Sequence, residues 1–314
     1  MEKITSRAIK AEFKRALSIA AAPQWVSAIT NLFTSDQASE EYAWLEAVGA
    51  LREWVDGRSA QTFDEESLTI INKHFERTID FSLRDMRRDK FGMIQIRIAD
   101  LVRRAMSHPA SLLTTLIEDG EDHTCYDGQY FFDTDHSEGD SGTQDNDITV
   151  DISTLPVETA GTTTLPSVAE MQFVIATAIQ QMMGFKDSAG EPMNEDLQNF
   201  VVMGPTAYHN VLHQAVFTPV QVAETQSALT ALKSDYSIRA VTNPRLTWTD
   251  KIAVFSADGP IKPFIFQRET NYHLSSKAEG SDYEHDNDRH QYGIDYWGNV
   301  GYGLWQRAVL AQLT

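Results

Sequence analysis

A single cysteine, Cys125, occurs among the 314 residues. That excludes an intramolecular disulfide and any multi-cysteine zinc site, and it fits folding in a reducing compartment. Basic residues are missing over a long stretch: residues 105–185 hold no Lys or Arg against 14 acidic side chains. Residues 1–104 balance at 16 basic and 16 acidic, so the net charge of −19 is carried by the rest. A chain charged in this way does not bind nucleic-acid phosphates tightly through its bulk surface. Long apolar runs are absent as well. The apolar stretch Phe173 to Ile179, itself interrupted by Thr177, is far short of the roughly 20 residues of a membrane span. No phosphate-loop or dinucleotide glycine fingerprint, internal repeat or low-complexity tract interrupts the sequence. Lys3, Arg7 and Lys10 precede an alanine-rich stretch, but Lys14 and Arg15 break the apolar core that a secretion signal needs.

With 42% hydrophobic and 10% aromatic residues, the composition is that of a folded protein. Ile9, Phe13 and Leu17 recur at four-residue spacing, predicting an amphipathic N-terminal helical arm that ends near Thr34-Ser35-Asp36. Residues 40–82 read as a long two-stranded excursion. A helix follows, with Ile94, Ile98, Leu101 and Ala105 in one stripe and Arg97, Asp100 and Arg104 on another face. Ser107-His108-Pro109 is expected to end it, with Pro109 opening a second helix that runs to Gly120. Ser167 and Glu170 have capping-box spacing for a helix that Gly184 ends. Strands are expected at Asn199–Met203, Tyr236–Thr242, Lys251–Phe255 and Ile261–Gln267, and over Tyr292–Leu313. The mixture points to an α+β fold.

Several short patterns imitate reaction centres. Gly139-Asp140-Ser141-Gly142 has the form of a serine-protease nucleophile turn, but it lies in an acidic loop with no matching His block upstream. Asp133, Asp135, Ser137 and Glu138 suggest a calcium loop, yet Glu138 stands where the loop needs Gly and Gln144 where it needs Glu, which leaves a solvated loop or, from the dense carboxylates, a looser divalent-ion site. His285 and His290, five apart, share neither a helix face nor a strand face. Cys125 sits among Tyr126, Tyr130, Phe131 and Phe132, as a small residue packed in an aromatic cluster. Neither a catalytic residue nor a cofactor nor a metal site is assigned, and the chain is expected not to be an enzyme. Arg84–Arg104 holds seven basic and three acidic residues. Arg84, Arg87, Arg88, Arg97 and Arg104 then form a solvated or intersubunit face, or a weak non-specific contact for DNA.

The most specific signal is a set of aromatic-dense blocks: Cys125 to Asp133, Lys262 to Glu269 and Gly301 to Gln306, with Tyr42-Ala43-Trp44-Leu45 and Leu51 to Arg58. In order from about residue 40 to the C-terminus, these blocks resemble the major head (capsid) subunits of Mu-like phages and prophages. The resemblance implies the Hong Kong 97 type of tailed-phage capsid fold. Its parts would be an N-terminal arm (1–38), an extended β-hairpin loop (39–82), a peripheral domain (83–166 and 259–314) with a spine helix over Met86–Ser107, and an axial domain (167–258). It further implies self-assembly through hexamers and pentamers into an icosahedral head around double-stranded DNA. Expected partners are a scaffolding protein, a portal and decoration proteins, with no membrane. Assembly would take place in the bacterial host cytoplasm and the product would be the virion capsid. Trp44, Trp54, Gly57 and Arg58 become candidates for intersubunit contact, since aromatic anchors dominate interfaces and Arg pairs well with a neighbour's carboxylate. The alternative is a shell protein of a prophage-derived nanocompartment or gene-transfer particle.

Overall fold

The computed structural model describes residues 6–42, 68–88, 92–157, 159–217, 221–222, 225–226 and 235–314. Helix α1 (Ser6–Ile19) buries Ile9 and Phe13 as their spacing predicts. Helix α2 (Gln24–Ile29) and strand β1 (Thr30–Thr34) follow, so the expected helical arm ends in a strand. Strands β2 (Ser39–Tyr42) and β3 (Leu68–Ile71) pair with each other, and β4 (Lys73–Ser82) leads into α3 (Leu83–Arg88). Next come α4 (Met93–Glu118), β5 (Asp147–Val150), α5 (Val168–Met183), β6 (Asn199–Gly204) and α6 (His209–Phe217). The pair β7 (Gln221–Val222) and β8 (Thr225–Gln226) precedes β9 (Ser237–Thr242), β10 (Lys251–Ser256) and β11 (Phe264–Arg268). Last are β12 (His273–Lys277), α7 (Asp282–Asn287), β13 (Arg289–Tyr302) and β14 (Ala308–Leu313).

Two five-stranded sheets organise these elements. The first runs β1-β11-β13-β12, with β4 along the other side of β13. Helix α1 and the N-terminal half of α4 cover it, burying Phe13, Phe81, Ile98, Leu101, Tyr292 and Ile294 together. The second runs β5-β14-β10-β6-β9, with α5 and α6 packed on it. Its strands β10 and β14 are nearly continuous apolar runs, as central strands covered on both faces require. The C-terminal half of α4 contributes Ala110, Leu113 and Ile117 to this second core. The Ser167 capping box forms as the sequence predicts, with Ser167 Oγ accepting from Glu170 N and the Glu170 carboxylate accepting from Ser167 N.

Three expectations are corrected. The helix expected over Met86–Ser107 and its successor from Pro109 are one helix, α4, which starts after a left-handed Gly92 (φ 68°) and runs through Pro109; Met86 lies on the separate α3. Proline lacks the N–H that would pair with the carbonyl four residues back, Ala105 O. The Tyr272 hydroxyl donates to that oxygen instead, at 3.3 Å, so the helix continues without an orphaned acceptor. Second, β4 pairs along β13 from Arg289–Ser82 to Gly298–Lys73, so residues 73–82 belong to the first sheet rather than to an excursion. Third, residues 259–314 do not return as one piece. β11, β12 and β13 join the first sheet, whereas β14 pairs with β10 and β5 in the second. The switch occurs at Gly303, where a Cβ would lie 2.3 Å from Lys262 O, and at the fully buried Trp305.

Candidate assembly surfaces and the buried polar centre

The strand pair β2–β3 brackets residues 43–67 and is anchored to the first sheet by polar contacts, two of them buried. The Tyr42 hydroxyl donates to Gln267 Oε1 at 2.9 Å, and Gln267 Nε2 donates to Ile70 O at 3.1 Å. Asn299 Nδ2 donates to Ile71 O at 2.9 Å. Gly301 admits Ile70 against β13: a Cβ there would lie 2.4 Å from Ile70 Cδ1. Burial, and then the Glu40 charge, push the Tyr42 phenol up to about 12, so it stays a donor at neutral pH. The candidates Trp44, Trp54, Gly57 and Arg58 lie outside the described residues.

The basic candidates are placed on two helices. Arg84, Arg87 and Arg88 are exposed on α3, and Arg97 and Arg104 are exposed on α4. Asp100 accepts from both Arg103 (2.7 Å) and Arg104 (2.9 Å), which hold its carboxyl below its usual value and tie up part of this charge. Between α4 and β4 runs a groove of about 910 Å³, lined by Phe75, Ile79, Ile96, Arg97, Leu101 and Tyr296 among others.

The motifs that imitate reaction centres take structural roles. Ser141 is buried; its Oγ accepts from Glu138 N (2.9 Å) and donates to Gly142 O (3.0 Å), closing a turn. Glu138 takes the Tyr126 hydroxyl (2.5 Å), the Trp305 indole N–H (3.1 Å) and the Gln306 amide (2.9 Å), so its carboxylate ties the connection after α4 to the β13–β14 junction. Burial raises the pKa of Glu138. Asp135 shares a hydrogen bond with Asp133, which raises its pKa. His285 is exposed and His290 buried, so they share no face, as expected.

A group that sequence reasoning missed lies beside them. Asp127 Oδ2 is 2.7 Å from His136 Nδ1, and Cys125 Sγ donates to Asp127 Oδ1 at 3.0 Å. His136 is fully buried, with its ring stacked on Trp305 at 3.9 Å between centroids and 8° between planes. Burial and then the Asp127 charge push the Cys125 thiol well above its usual pKa, so it is no thiolate nucleophile. Burial opposes the charge on Asp127, but the His136, Cys125 and Gln129 hydrogen bonds outweigh it and lower its carboxyl. His136 sits in an acidic loop whose composition reads as solvated. Only the aromatic block at Trp305 hinted at a buried neighbour there.

The described residues contain no helix long and apolar enough to cross a membrane. Comparison with known proteins agrees with this architecture. A sequence profile of the family described as "Mu-like prophage major head subunit gpT" matches residues 3–155 and 234–314. The match begins near the N-terminus rather than at residue 40, and it lapses over 156–233. The major capsid protein of Escherichia phage Mu is 35% identical over 115 residues, which are 37% of this chain and 38% of that protein. The FluMu prophage major head subunit of Haemophilus influenzae (strain ATCC 51907 / DSM 11121 / KW20 / Rd) is 33% identical over 121 residues, 38% of this chain and 39% of that protein. The chain thus spans about two fifths of the length of these curated relatives. Among solved structures, the bacteriophage JBD30 procapsid has a TM-score of 0.52 at 21% identity, covering 97% of this chain and 72% of that one. The capsid of cyanophage P-SCSP1u has a TM-score of 0.56 at 10% identity, over 94% and 89%. The fold is that of tailed-phage capsids, the Hong Kong 97 type.

Proposed function

Because the chain belongs to the family of Mu-like prophage major head subunits, we propose that it is a major capsid protein that builds an icosahedral phage head. The observation that carries this reading is the family match over residues 3–155 and 234–314, on a chain with the capsid fold. Copies assemble through hexamers and pentamers, where many individually weak contacts add up once the shell closes. Residues 1–38 act as the arm, and the excursion from β2 to β3 reaches a neighbouring subunit, with Trp44, Trp54, Gly57 and Arg58 at the contact. Its rigid root, fixed by Tyr42, Gln267 and Ile70, supports this role because a lever transmits a contact only if its base is held. The first sheet with α4 corresponds to the peripheral domain, and the second sheet with α5 and α6 to the axial domain. A scaffolding protein, a portal and decoration proteins complete the particle. It forms in the host cytoplasm.

The exposed arginines of α3 and α4 face a neighbour or touch packaged DNA weakly. The acidic balance suits a container, since each phosphate neutralised by the wall would add salt-dependent grip on the genome. The family favours a phage head over a compartment for other cargo, and the nucleic acid content of purified shells separates the two.

The test is expression of the chain alone and with its neighbouring assembly genes, followed by sedimentation and negative-stain microscopy. Closed shells or hexameric and pentameric rings are expected. A stable monomer or small dimer under both conditions overturns the reading. Trp54→Ala should give folded subunits that fail to assemble; normal shells from that variant refute the excursion contact while leaving the capsid reading intact.

A further inference from the structure

Cys125 and Asp127 lie two residues apart on the turn after α4, and His136 follows nine residues later in the same connection. One ligand atom from each lies within 4.8 Å of the other two, which no other group of three or more His, Cys, Asp or Glu side chains among the described residues achieves. The side chains of Asp127 and His136 are 3% and 0% exposed, so the group is built into the core rather than gathered on the surface. We propose that Cys125 Sγ, Asp127 Oδ and His136 Nδ1 bind one divalent transition-metal ion of the zinc type.

The hydrogen bonding around His136 carries the argument. Asn146 Nδ2 donates to Phe131 O (2.8 Å) and Trp305 O (3.4 Å), while its Oδ1 accepts from Asp133 N. That fixes the amide so that Oδ1, an acceptor, faces His136 Nε2 at 3.2 Å. A neutral imidazole that keeps its proton on Nδ1 for Asp127 sets an Nε2 lone pair against this oxygen. A second ring proton would remove the conflict by burying a charge; metal on Nδ1 removes it with a neutral ring, whose proton moves to Nε2 and donates to Asn146. Metal-bound histidines commonly hold their second N–H in this way. The thiol hydrogen and the Nδ1 hydrogen converge on one buried carboxylate, and a dication takes both places. Binding releases the thiol proton to solvent and leaves a thiolate, an imidazole and a carboxylate around the ion.

This donor set selects the metal class. Sulfur and imidazole nitrogen suit zinc-like ions, with metal–ligand distances of about 2.0–2.3 Å in a tetrahedral site. Calcium and magnesium prefer all-oxygen shells. The main-chain oxygen of Tyr130, 3.9 Å from Sγ, or a water fills the fourth position. The ion would pin the connection between α4 and β5 against Trp305, in a stretch with 14 acidic and no basic side chains. None of this depends on the shell reading.

The test uses the full chain, stripped with a chelator and titrated with Co²⁺. A single cysteine makes the readout unambiguous, because a thiolate-to-cobalt charge-transfer band arises only from Cys125. The expected result is one Co²⁺ per chain, a near-ultraviolet charge-transfer band with visible tetrahedral bands, and displacement of both by Zn²⁺. Cys125→Ser and His136→Gln should abolish the band while circular dichroism shows the fold retained. His209→Ala/His213→Ala, which removes the histidine pair on α6, should leave it unchanged. The proposal is overturned if the folded wild-type chain shows no thiolate band at equimolar Co²⁺, which also decides the matter should the variants fail to fold. It is equally overturned if the Cys125 and His136 variants take up Co²⁺ as the parent does. In either case the trio is a hydrogen-bonded Asp–His pair with a thiol beside it.

Discussion

Tyr272→Phe removes one oxygen, yet it tests how α4 passes through a proline. Pro109 is buried inside the helix and offers no N–H to Ala105 O, the acceptor that the Tyr272 hydroxyl reaches at 3.3 Å. Losing that donor costs about 0.5–1.5 kcal/mol for the bond and up to about 3 kcal/mol if the carbonyl is left unpaired away from water. Burial pushes the Tyr272 phenol up to about 12, so the donor is intact across the neutral range and the cost should not vary between pH 6 and pH 9. Pro109→Ala restores an N–H aimed at the same oxygen. In that background Tyr272→Phe should cost close to nothing, giving a coupling of about 1–2 kcal/mol in a double-mutant cycle. The cycle cancels the packing lost with the proline ring, which a single variant would not. Urea unfolding of the unassembled subunit measures all four chains, and similar slopes confirm comparable native and unfolded states. Additivity to within about 0.3 kcal/mol refutes the account of the helix, because Ala105 O would then be satisfied by something else.

Tyr42→Phe should destabilise the subunit by about 1–3 kcal/mol, because Gln267 is fully buried and its Oε1 loses its donor; denaturant unfolding within about 0.3 kcal/mol of the parent would show the root is held otherwise. Asp147 is raised from 3.8 to about 6, by burial first and then by the Glu121 charge. Its folded value lies above the unfolded one, so its contribution is full below about pH 4 and disappears as pH rises through about 6. The shift has a ceiling of about 3 kcal/mol, which solvent screening of this half-buried group reduces to about 1 kcal/mol. Asp147→Asn should therefore stabilise the subunit at pH 7.5 and not at pH 4, and a gain equal at both pH values would point to packing instead. Arg87→Glu/Arg88→Glu, at exposed positions, should leave unfolding within about 0.5 kcal/mol while blocking shell closure; normal shells that shed DNA at lower salt would assign this face to the genome.

Local signals were legible wherever the partner of a residue lies nearby in the chain. Ser167 and Glu170 form their capping box, the Ile94–Ile98–Leu101 stripe is buried, and Asn199–Met203 is a core strand. Pro109 misled because its compensation comes from Tyr272, 163 positions away, and no helix rule looks that far. The strand at Ala308–Leu313 was visible as a strand, but its apolar run fits the centre of either sheet equally well. What decides is the reversal at Gly303 and Trp305, which depends on the close approach of Lys262 O. The aromatic neighbours of Cys125 in the sequence predict packing, and its burial agrees, but the carboxylate and imidazole beside it come together only when the acidic connection folds back onto Trp305.

The two sheets share structure in a way that bears on a shell. Helix α4 places Ile98 and Leu101 in the core of the first sheet, and Leu113 and Ile117 in the core of the second. The backbone crosses between sheets again at the β13–β14 junction, where Trp305 is held by Glu138 and stacked on His136. A helix broken at Pro109 would let the first sheet and its α1 cover pivot against the second; an unbroken one ties them at a second point. The Tyr272–Ala105 bond is then more than a local repair, because it lies between the two halves of α4. A subunit built into a shell, as proposed, gains from having the two cores move together. Loosening at Tyr272 should therefore affect uniformity of assembly before it affects folding, and particle-diameter spread in the Tyr272→Phe variant measures it. A spread unchanged from the parent, at a confirmed loss of subunit stability, would separate the helix repair from assembly altogether.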